Sequence, residues 1–235
     1  MIPLILSTST IKAYLDCHYR YYLSEVLRLN GLSRTPAALG TAVHAGIERG
    51  FRKNWLAART EMTLVLDRTM VRGLDEEQFP VVQADGLRMM ETYQREVVPT
   101  FTPTLIEAPF LIKINGVHVS GHIDAADEDV HDTKTVAMIS KFRPDEHVLQ
   151  MTIYRRGYQH LVGRLPKRLL LDVLPRGGRV AYRQYEVQPD EREMVDVLGI
   201  VRDEIMQENY EPTGAISRKC FYCPYLESCR YAVTD

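Results

Sequence analysis

The spacing of apolar positions divides the chain into a mainly helical first part and a mixed strand–helix second part. A Ser/Thr run at Ser7 to Thr10, suited to helix capping, precedes Ile11, Tyr14 and Leu15 at helical spacing, within a segment reaching Val26. A loop is expected at 31–36. A helix is predicted over about 39–55, with Val43, Ile47 and Phe51 as its apolar stripe and Gly40 and His44 alongside. Gly40, Ala42, Ala45 and Gly46 leave room there for another element to approach closely. Segments 61–72 and 83–98 also read as helices, separated by a loop at 75–80. Pro99 to Pro103 marks a break, after which 105–114 and 117–124 alternate as strands of a hairpin turning at Asn115-Gly116. A helix over 144–161, strands over 168–175 and 180–187, and an amphipathic helix over 189–207 complete the pattern.

One stretch breaks the rule that strands serve the core. From Gly121 to Thr135 the chain reads G-H-I-D-A-A-D-E-D-V-H-D-T-K-T, two short strands joined by a tight acidic turn. Alternate strand residues point to the same face, so Asp132 and Lys134 project together, with Asp124 delivered from the neighbouring strand. An Asp and a Lys two apart also make an ordinary exposed ion pair. With Asp124 beside them, however, they form the layout of a divalent-metal site with a lysine next to it. Carboxylate oxygens suit Mg²⁺ or Mn²⁺, and a lysine can orient water or offset negative charge on phosphorus.

Composition narrows the class of protein. The chain has 235 residues, 45% hydrophobic and 26% charged, enough for a substantial core. Its net charge is -2, so contact with nucleic acid must come from a local patch rather than the overall field. The best basic patch holds Arg164, Lys167, Arg168, Arg176, Arg179 and Arg183; solvation of the surface is its plainer role. A second basic and aromatic run, C-H-Y-R-Y-Y-L from Cys17, places Arg20 among tyrosines that either stack on bases or pack inside. The first residues are too briefly apolar for a membrane span or a signal peptide, which predicts a cytoplasmic protein with no membrane partner. No phosphate-binding glycine loop is evident, which argues against motor or kinase activity.

The four cysteines are Cys17 and, at the other end of the chain, Cys220, Cys223 and Cys229. In a reducing compartment they are unlikely to pair as disulfides. Their number suits a tetrahedral zinc or a cubane iron–sulfur cluster, and the three-plus-one spacing suits the cluster better. A site of this kind ties the two chain ends together, a structural role.

These pieces, in this order, resemble the RecB-like, four-cysteine branch of the PD-(D/E)XK nucleases, the group of the CRISPR-associated protein 4 family, the AddB nuclease domain and exonuclease V. They are Cys17, G-T-A-V-H ending at His44, G-H-I-D ending at Asp124, D-T-K at Asp132 to Lys134, Q-M-T-I-Y at Gln150 to Tyr154, and the terminal cysteines. The resemblance implies a mixed α/β fold: a restriction-endonuclease-like core with a central mixed β-sheet flanked by helices, and a helical cap tied by a metal cluster. It implies one nuclease domain over 1–235, with cap and first core helix in 1–100, catalytic core in 101–190, and C-terminal helix and cysteines in 191–235.

It further implies that His44, Asp124, Asp132 and the Thr133 carbonyl bind Mn²⁺ or Mg²⁺, that Lys134 positions the attacking water, and that Gln150 and Tyr154 support the site and hold the DNA strand. Cys17, Cys220, Cys223 and Cys229 would bind a 4Fe–4S cluster. Two departures stand out: no proline precedes Asp124, and His18 follows Cys17 where relatives often have proline. Glu107 sits where relatives often carry a glutamate before the acidic hairpin. The implied activity is hydrolysis of single-stranded DNA from its ends, in repair, recombination or CRISPR spacer processing, with a helicase, recombinase or integrase as partner. The rival is a non-catalytic iron–sulfur DNA-binding or adaptor subunit, which would have no need of the His-Asp-Asp-Lys set.

Overall fold

In the computed structural model the described residues are 4–31, 35–70, 78–212, 220 and 223–232. The loops expected at 31–36 and 75–80, and the end of the helix expected over 61–72, lie partly outside them. The strands are β1 (Ile5–Ser7), β2 (Leu105–Ile114), β3 (Val117–Ala126), β4 (Val130–Val136), β5 (Leu169–Pro175) and β6 (Arg183–Glu186). The helices are α1 (Thr8–Asp16), α2 (His18–Tyr21), α3 (Thr35–Arg52), α4 (Trp55–Met70), α5 (Phe79–Glu96), α6 (Val148–Val162) and α7 (Glu191–Met206). The result is a mixed α/β fold with a mixed sheet flanked by helices. Two compact units divide the chain: a larger one of Thr35–Phe110 and His122–Asp190, and a smaller one of Met1–Arg34, Leu111–Gly121 and Glu191–Asp235.

The larger unit holds the acidic hairpin. There β3 pairs antiparallel with β4, with Ala125 opposite His131 and Ala126 opposite Val130. β4 then runs parallel to β5, with Asp132 beside Leu171 and Thr133 beside Asp172, and β5 runs antiparallel to β6. Every residue of β5 is buried, as expected of a central strand covered on both faces. α3, α4 and α5 supply most of the core: Leu39, Ala42 and Val43 pack with Met62, Leu66, Met89, Met90 and Tyr93. α3 approaches β4 closely at Gly40, where a Cβ would meet Thr135 Oγ1 at 3.0 Å. That approach brings the polar edge of α3, including His44, toward the sheet.

On the strand face that carries His131 and Thr133, a polar knot is buried in this apolar setting. Asp172 is fully buried, and its Oδ1 accepts hydrogen bonds from Tyr182 Oη at 2.6 Å and Gln184 Nε2 at 2.9 Å. Its Oδ2 lies 2.8 Å from His131 Nδ1. Sequence inspection finds Asp172 only as a lone acid among basic residues; its role depends on three partners brought in by β4, β6 and the turn before β6.

In the smaller unit, Ser7 caps α1 in a reciprocal capping box with Thr10. β1 pairs in parallel with the first half of β3, Leu6 beside Val119. The hairpin turn has positive φ at both Asn115 (44°) and Gly116 (85°), the backbone that Asn-Gly favours. Tyr14, Tyr19 and Tyr21 are buried, so most of the aromatic run packs inside rather than facing solvent. Tyr14 stacks on His18 and donates to the Asn209 carbonyl at 2.7 Å, joining the start of the chain to the end of α7. Tyr19 meets Tyr231 edge-on at 4.7 Å, and the Arg230 guanidinium lies over Tyr19.

Asp172→Ala leaves His131, Tyr182 and Gln184 without their buried acceptor. It is expected to cost on the order of 3–5 kcal/mol of stability in urea denaturation; a loss under about 1 kcal/mol would mean the knot contributes little.

Candidate active site

The acidic hairpin, α3 and α6 converge within the larger unit. The β3–β4 register, continued by one residue, sets Asp124 opposite Asp132. The hairpin is locked from below by the Thr133 N–H, which donates to Asp124 Oδ2 at 2.9 Å. His44 on α3 brings Nδ1 to 3.2 Å from the same oxygen. Two elements thus converge on one carboxylate, while the close approach at Gly40 sets the depth of the helix.

Glu107 completes this half of the site. Its carboxylate, the His44 imidazole and the Asp124 carboxylate offer ligand atoms all within 4.8 Å of one another. Glu107 reaches them from β2 by leaving the ordinary strand backbone: its φ is 44°, in the left-handed region that non-glycine residues rarely adopt. A conformation of this kind costs on the order of 1–3 kcal/mol and clusters at functional sites. Arg52 of α3 donates to the adjoining Ile106 carbonyl at 2.8 Å and holds the strand there. The residue's place in the strand was legible from sequence; the turn of the backbone that aims it was not.

The second half is built around Asp132, which is buried at 1% exposure. Lys134 Nζ lies 2.7 Å from Asp132 Oδ2 and donates to Gln150 Oε1 at 3.0 Å. Gln150 Nε2 donates to Asp132 Oδ1 at 3.2 Å and to the Tyr154 oxygen at 3.1 Å. Gln150 and Tyr154 stand one helical turn apart on α6, as their spacing requires. The Lys134 ammonium already meets this buried Oδ2 as an ion pair, and a buried carboxylate that takes one cation as its neighbour is of the hard-oxygen type that suits a metal ion. Together with the hard-oxygen and imidazole donors at His44, Glu107 and Asp124, the residues present fit a divalent metal ion. The Thr133 N–H is committed to Asp124.

The charges of the site are strongly interdependent. Burial works against the His44 imidazolium, but the neighbouring Asp124 carboxylate outweighs it and pushes the imidazole up to about 9. Burial likewise favours the neutral form of Asp124, yet His44, Lys134 and the Thr133 N–H overcome it and hold this carboxyl below its ordinary range. Asp132 goes the other way: burial, with added repulsion from Asp124, pushes it up to about 6 despite Lys134. Burial and the Asp124 charge raise Glu107 to about 7. Neighbouring acids driven in opposite directions are common at catalytic sites.

Other predicted residues are placed differently. Of the basic patch, Lys167 pairs with Glu128 at 2.6 Å, Arg168 with Asp129 at 2.6 Å and Arg176 with Asp85 at 3.0 Å, so these charges are largely met within the protein. Arg20 pairs with Asp16. Cys17, Cys220, Cys223 and Cys229 are all half-buried free thiols in the smaller unit. Burial raises the Cys223 thiol, and Cys229 and Cys17 lie near enough to add to the rise. Among the described residues, however, no group of ligand atoms within 4.8 Å of one another includes a cysteine. The four thiols expected to hold a 4Fe–4S cluster are thus not gathered into a ligand group among these residues.

A mixed sheet that presents two acids and a lysine from an antiparallel hairpin, backed by helices, defines a nuclease-type core. The PD-(D/E)XK nuclease superfamily matches residues 5–230, and the chain belongs to that superfamily. Its members are nucleases that use divalent metal ions such as Mg²⁺ or Mn²⁺. A crystal structure of a Eubacterium rectale protein, provisionally named an exonuclease, is similar in fold: TM-score 0.61 at 12% identity, covering 93% of this chain and 87% of that one. A second solved structure, SSO0001, covers 96% of each chain at 18% identity with a TM-score of 0.44. No curated protein matches the chain. No helix among the described residues is long and apolar enough to cross a membrane.

In metal-free protein, the His44 imidazole is expected to titrate near pH 9 by NMR and to fall toward or below its ordinary range in Asp124→Asn. Because the folded value is raised, the stabilisation this pair gives through His44 is complete below pH 6.5 and is lost as pH rises through about 9. A His44 that titrates near 6.5 in wild-type protein would separate it from Asp124.

Proposed function

We propose that the protein is a divalent-metal-dependent deoxyribonuclease that hydrolyses phosphodiester bonds, working as an exonuclease on single-stranded ends. The observation that carries this reading is the His44–Glu107–Asp124 group, whose ligand atoms lie within 4.8 Å of one another, opposite the buried Asp132–Lys134 pair across the β3–β4 hairpin. His44, Asp124 and Asp132, with the Thr133 carbonyl, are the proposed ligands of Mn²⁺ or Mg²⁺, and the position of Glu107 supports adding its carboxylate to the set. A divalent ion held by these residues would supply polarisation of a phosphate oxygen and a lowered pKa for water.

The chain's own residues supply the rest. Lys134 is held by Asp132 and Gln150, which leaves the ammonium one further N–H to orient water or meet charge developing on phosphorus. Gln150 keeps Lys134 and Asp132 in register by donating to one and accepting from the other. Tyr154 anchors Gln150 from the next turn and is packed edge-on against Phe110 at 5.9 Å. His44 must shed its proton to offer a lone pair, so ligand binding there competes with protonation. Superfamily membership supports DNA as the substrate.

The smaller unit is proposed to hold a 4Fe–4S cluster on Cys17, Cys220, Cys223 and Cys229. Its support is that the two chain ends meet there through Tyr19–Tyr231 and through Gly31 against Pro224, and that the Cys223 thiol senses Cys17 and Cys229. A repair, recombination or spacer-processing role in the cytoplasm, beside a helicase, recombinase or integrase, follows from the same resemblance.

Asp132→Ala and Lys134→Ala are expected to abolish cleavage of end-labelled single strands in Mn²⁺ while binding the same DNA within a few-fold of wild type. Circular single strands should survive wild-type enzyme; their digestion would replace the exonuclease with an endonuclease. Mn²⁺ affinity should rise about tenfold per pH unit from 7 to 9, as one His44 proton is displaced, and more steeply below 7, where Glu107 and Asp132 also hold protons. A pH-independent affinity in calorimetric titration would remove His44 from the ligand set. Purified protein should contain iron and sulfide, both lost in Cys17→Ala; stoichiometric zinc without iron would end the cluster assignment.

A further inference from the structure

The acidic turn between β3 and β4 carries a second constellation that the nuclease reading does not use. We propose that Asp127, Asp129 and His131 form a second divalent-cation site, of the zinc or manganese class, that pins this turn. The ligand atoms of these residues all lie within 4.8 Å of one another. They share no member with the His44–Glu107–Asp124 group, and alternation along β4 puts His131 on the opposite face from Asp132.

Acidic turns are common without any ion, but here the interior of the site is prepared for one. Asp129 is 5% exposed, and its Oδ1 is buried and accepts no hydrogen bond. Its Oδ2 is taken by Arg168 at 2.6 Å and 3.0 Å, which fixes the carboxylate plane and leaves Oδ1 as the uncommitted atom. A buried carboxylate oxygen with no partner carries a desolvation penalty that a cation would remove.

His131 is 3% exposed and equally constrained. Asp172 Oδ2, 2.8 Å from Nδ1, accepts the proton there and leaves the Nε2 lone pair available. A carboxylate behind an imidazole is the usual support of a metal-bound histidine. Stacking on Phe101, with centroids 3.9 Å apart and planes 4° from parallel, holds the ring in orientation. Asp127 Oδ1 accepts the Asp129 N–H at 2.8 Å and has lone-pair capacity remaining.

Two carboxylates and an imidazole favour zinc or manganese over calcium or magnesium, which prefer oxygen alone. The Arg168 charge offsets one carboxylate, but Asp127 and the Asp172 charge behind His131 keep the locality attractive to a cation. An ion here joins the end of β3 to the start of β4. It therefore stabilises the hairpin that holds Asp124 and Asp132, by mass action on the folded state.

The test is the Mn²⁺ stoichiometry of the full chain, read by electron paramagnetic resonance with circular dichroism as the check on folding. Wild type should bind two ions and Asp127→Asn one, since the amide oxygen can still accept the Asp129 N–H and keep the turn. Asp129→Asn serves as the second variant should the first not fold. Asp132→Ala should keep the turn ion, and Zn²⁺ should raise its melting temperature by several degrees but not that of the Asp132→Ala, Asp127→Asn double variant. Equal stoichiometry and equal Zn²⁺ response in wild type and the turn variants would overturn the site. Failure of the nuclease metal site alone looks different: wild type would bind one ion and Asp127→Asn none.

Discussion

Two carboxylates, the partly exposed Asp124 and the buried Asp132, face each other across a pair of antiparallel strands, and the surrounding residues answer that repulsion. Like charges at this separation cannot both stay ionised without compensation. His44 from α3 and the Thr133 N–H are committed to Asp124, while Lys134 and Gln150 are committed to Asp132. The opposite directions in which the two acids are pushed record this division: Asp124 is held below its ordinary range and Asp132 is raised to about 6. A metal ion between them would relieve the same conflict more completely, which is why the metal reading and the electrostatics agree.

The apolar frame exists to hold that arrangement still. α3 is anchored by Leu39, Ala42, Val43 and Ile47 in the core, so the imidazole on its polar edge is presented from a rigid element. β4 is paired on both sides and β5 is buried throughout, so Asp132 and Lys134 stand on a central strand rather than a mobile edge. The backbone departs from regular form at Glu107, where the strand gives up ordinary φ to aim a third acid. Sites placed on rigid elements hold their geometry better than sites on loops.

The opposite side of β4 tells a parallel story with different residues. Asp172 gathers His131, Tyr182 and Gln184 into a satisfied buried knot, and Arg168 locks Asp129 at the turn. Three of the six basic residues that look like a nucleic-acid patch in the sequence, Lys167, Arg168 and Arg176, pair with Glu128, Asp129 and Asp85.

Much of this was determined by sequence alone, wherever the signal is local. The Asn115-Gly116 turn, the alternation through β3 and β4, the i, i+4 pair Gln150 and Tyr154 and the small residues of α3 each follow from neighbours a few positions apart, and all stand in the fold. Only the tertiary structure decided the rest. β1 has three residues and a parallel partner more than a hundred positions away, so it leaves no periodic trace. Glu107 reaches its neighbours through a backbone angle that no residue pattern announces, and Asp172 acquires its role from side chains on separate strands. Local chemistry dictates elements and faces, whereas the distances that separate a ligand set from a group of charged residues come from long-range packing.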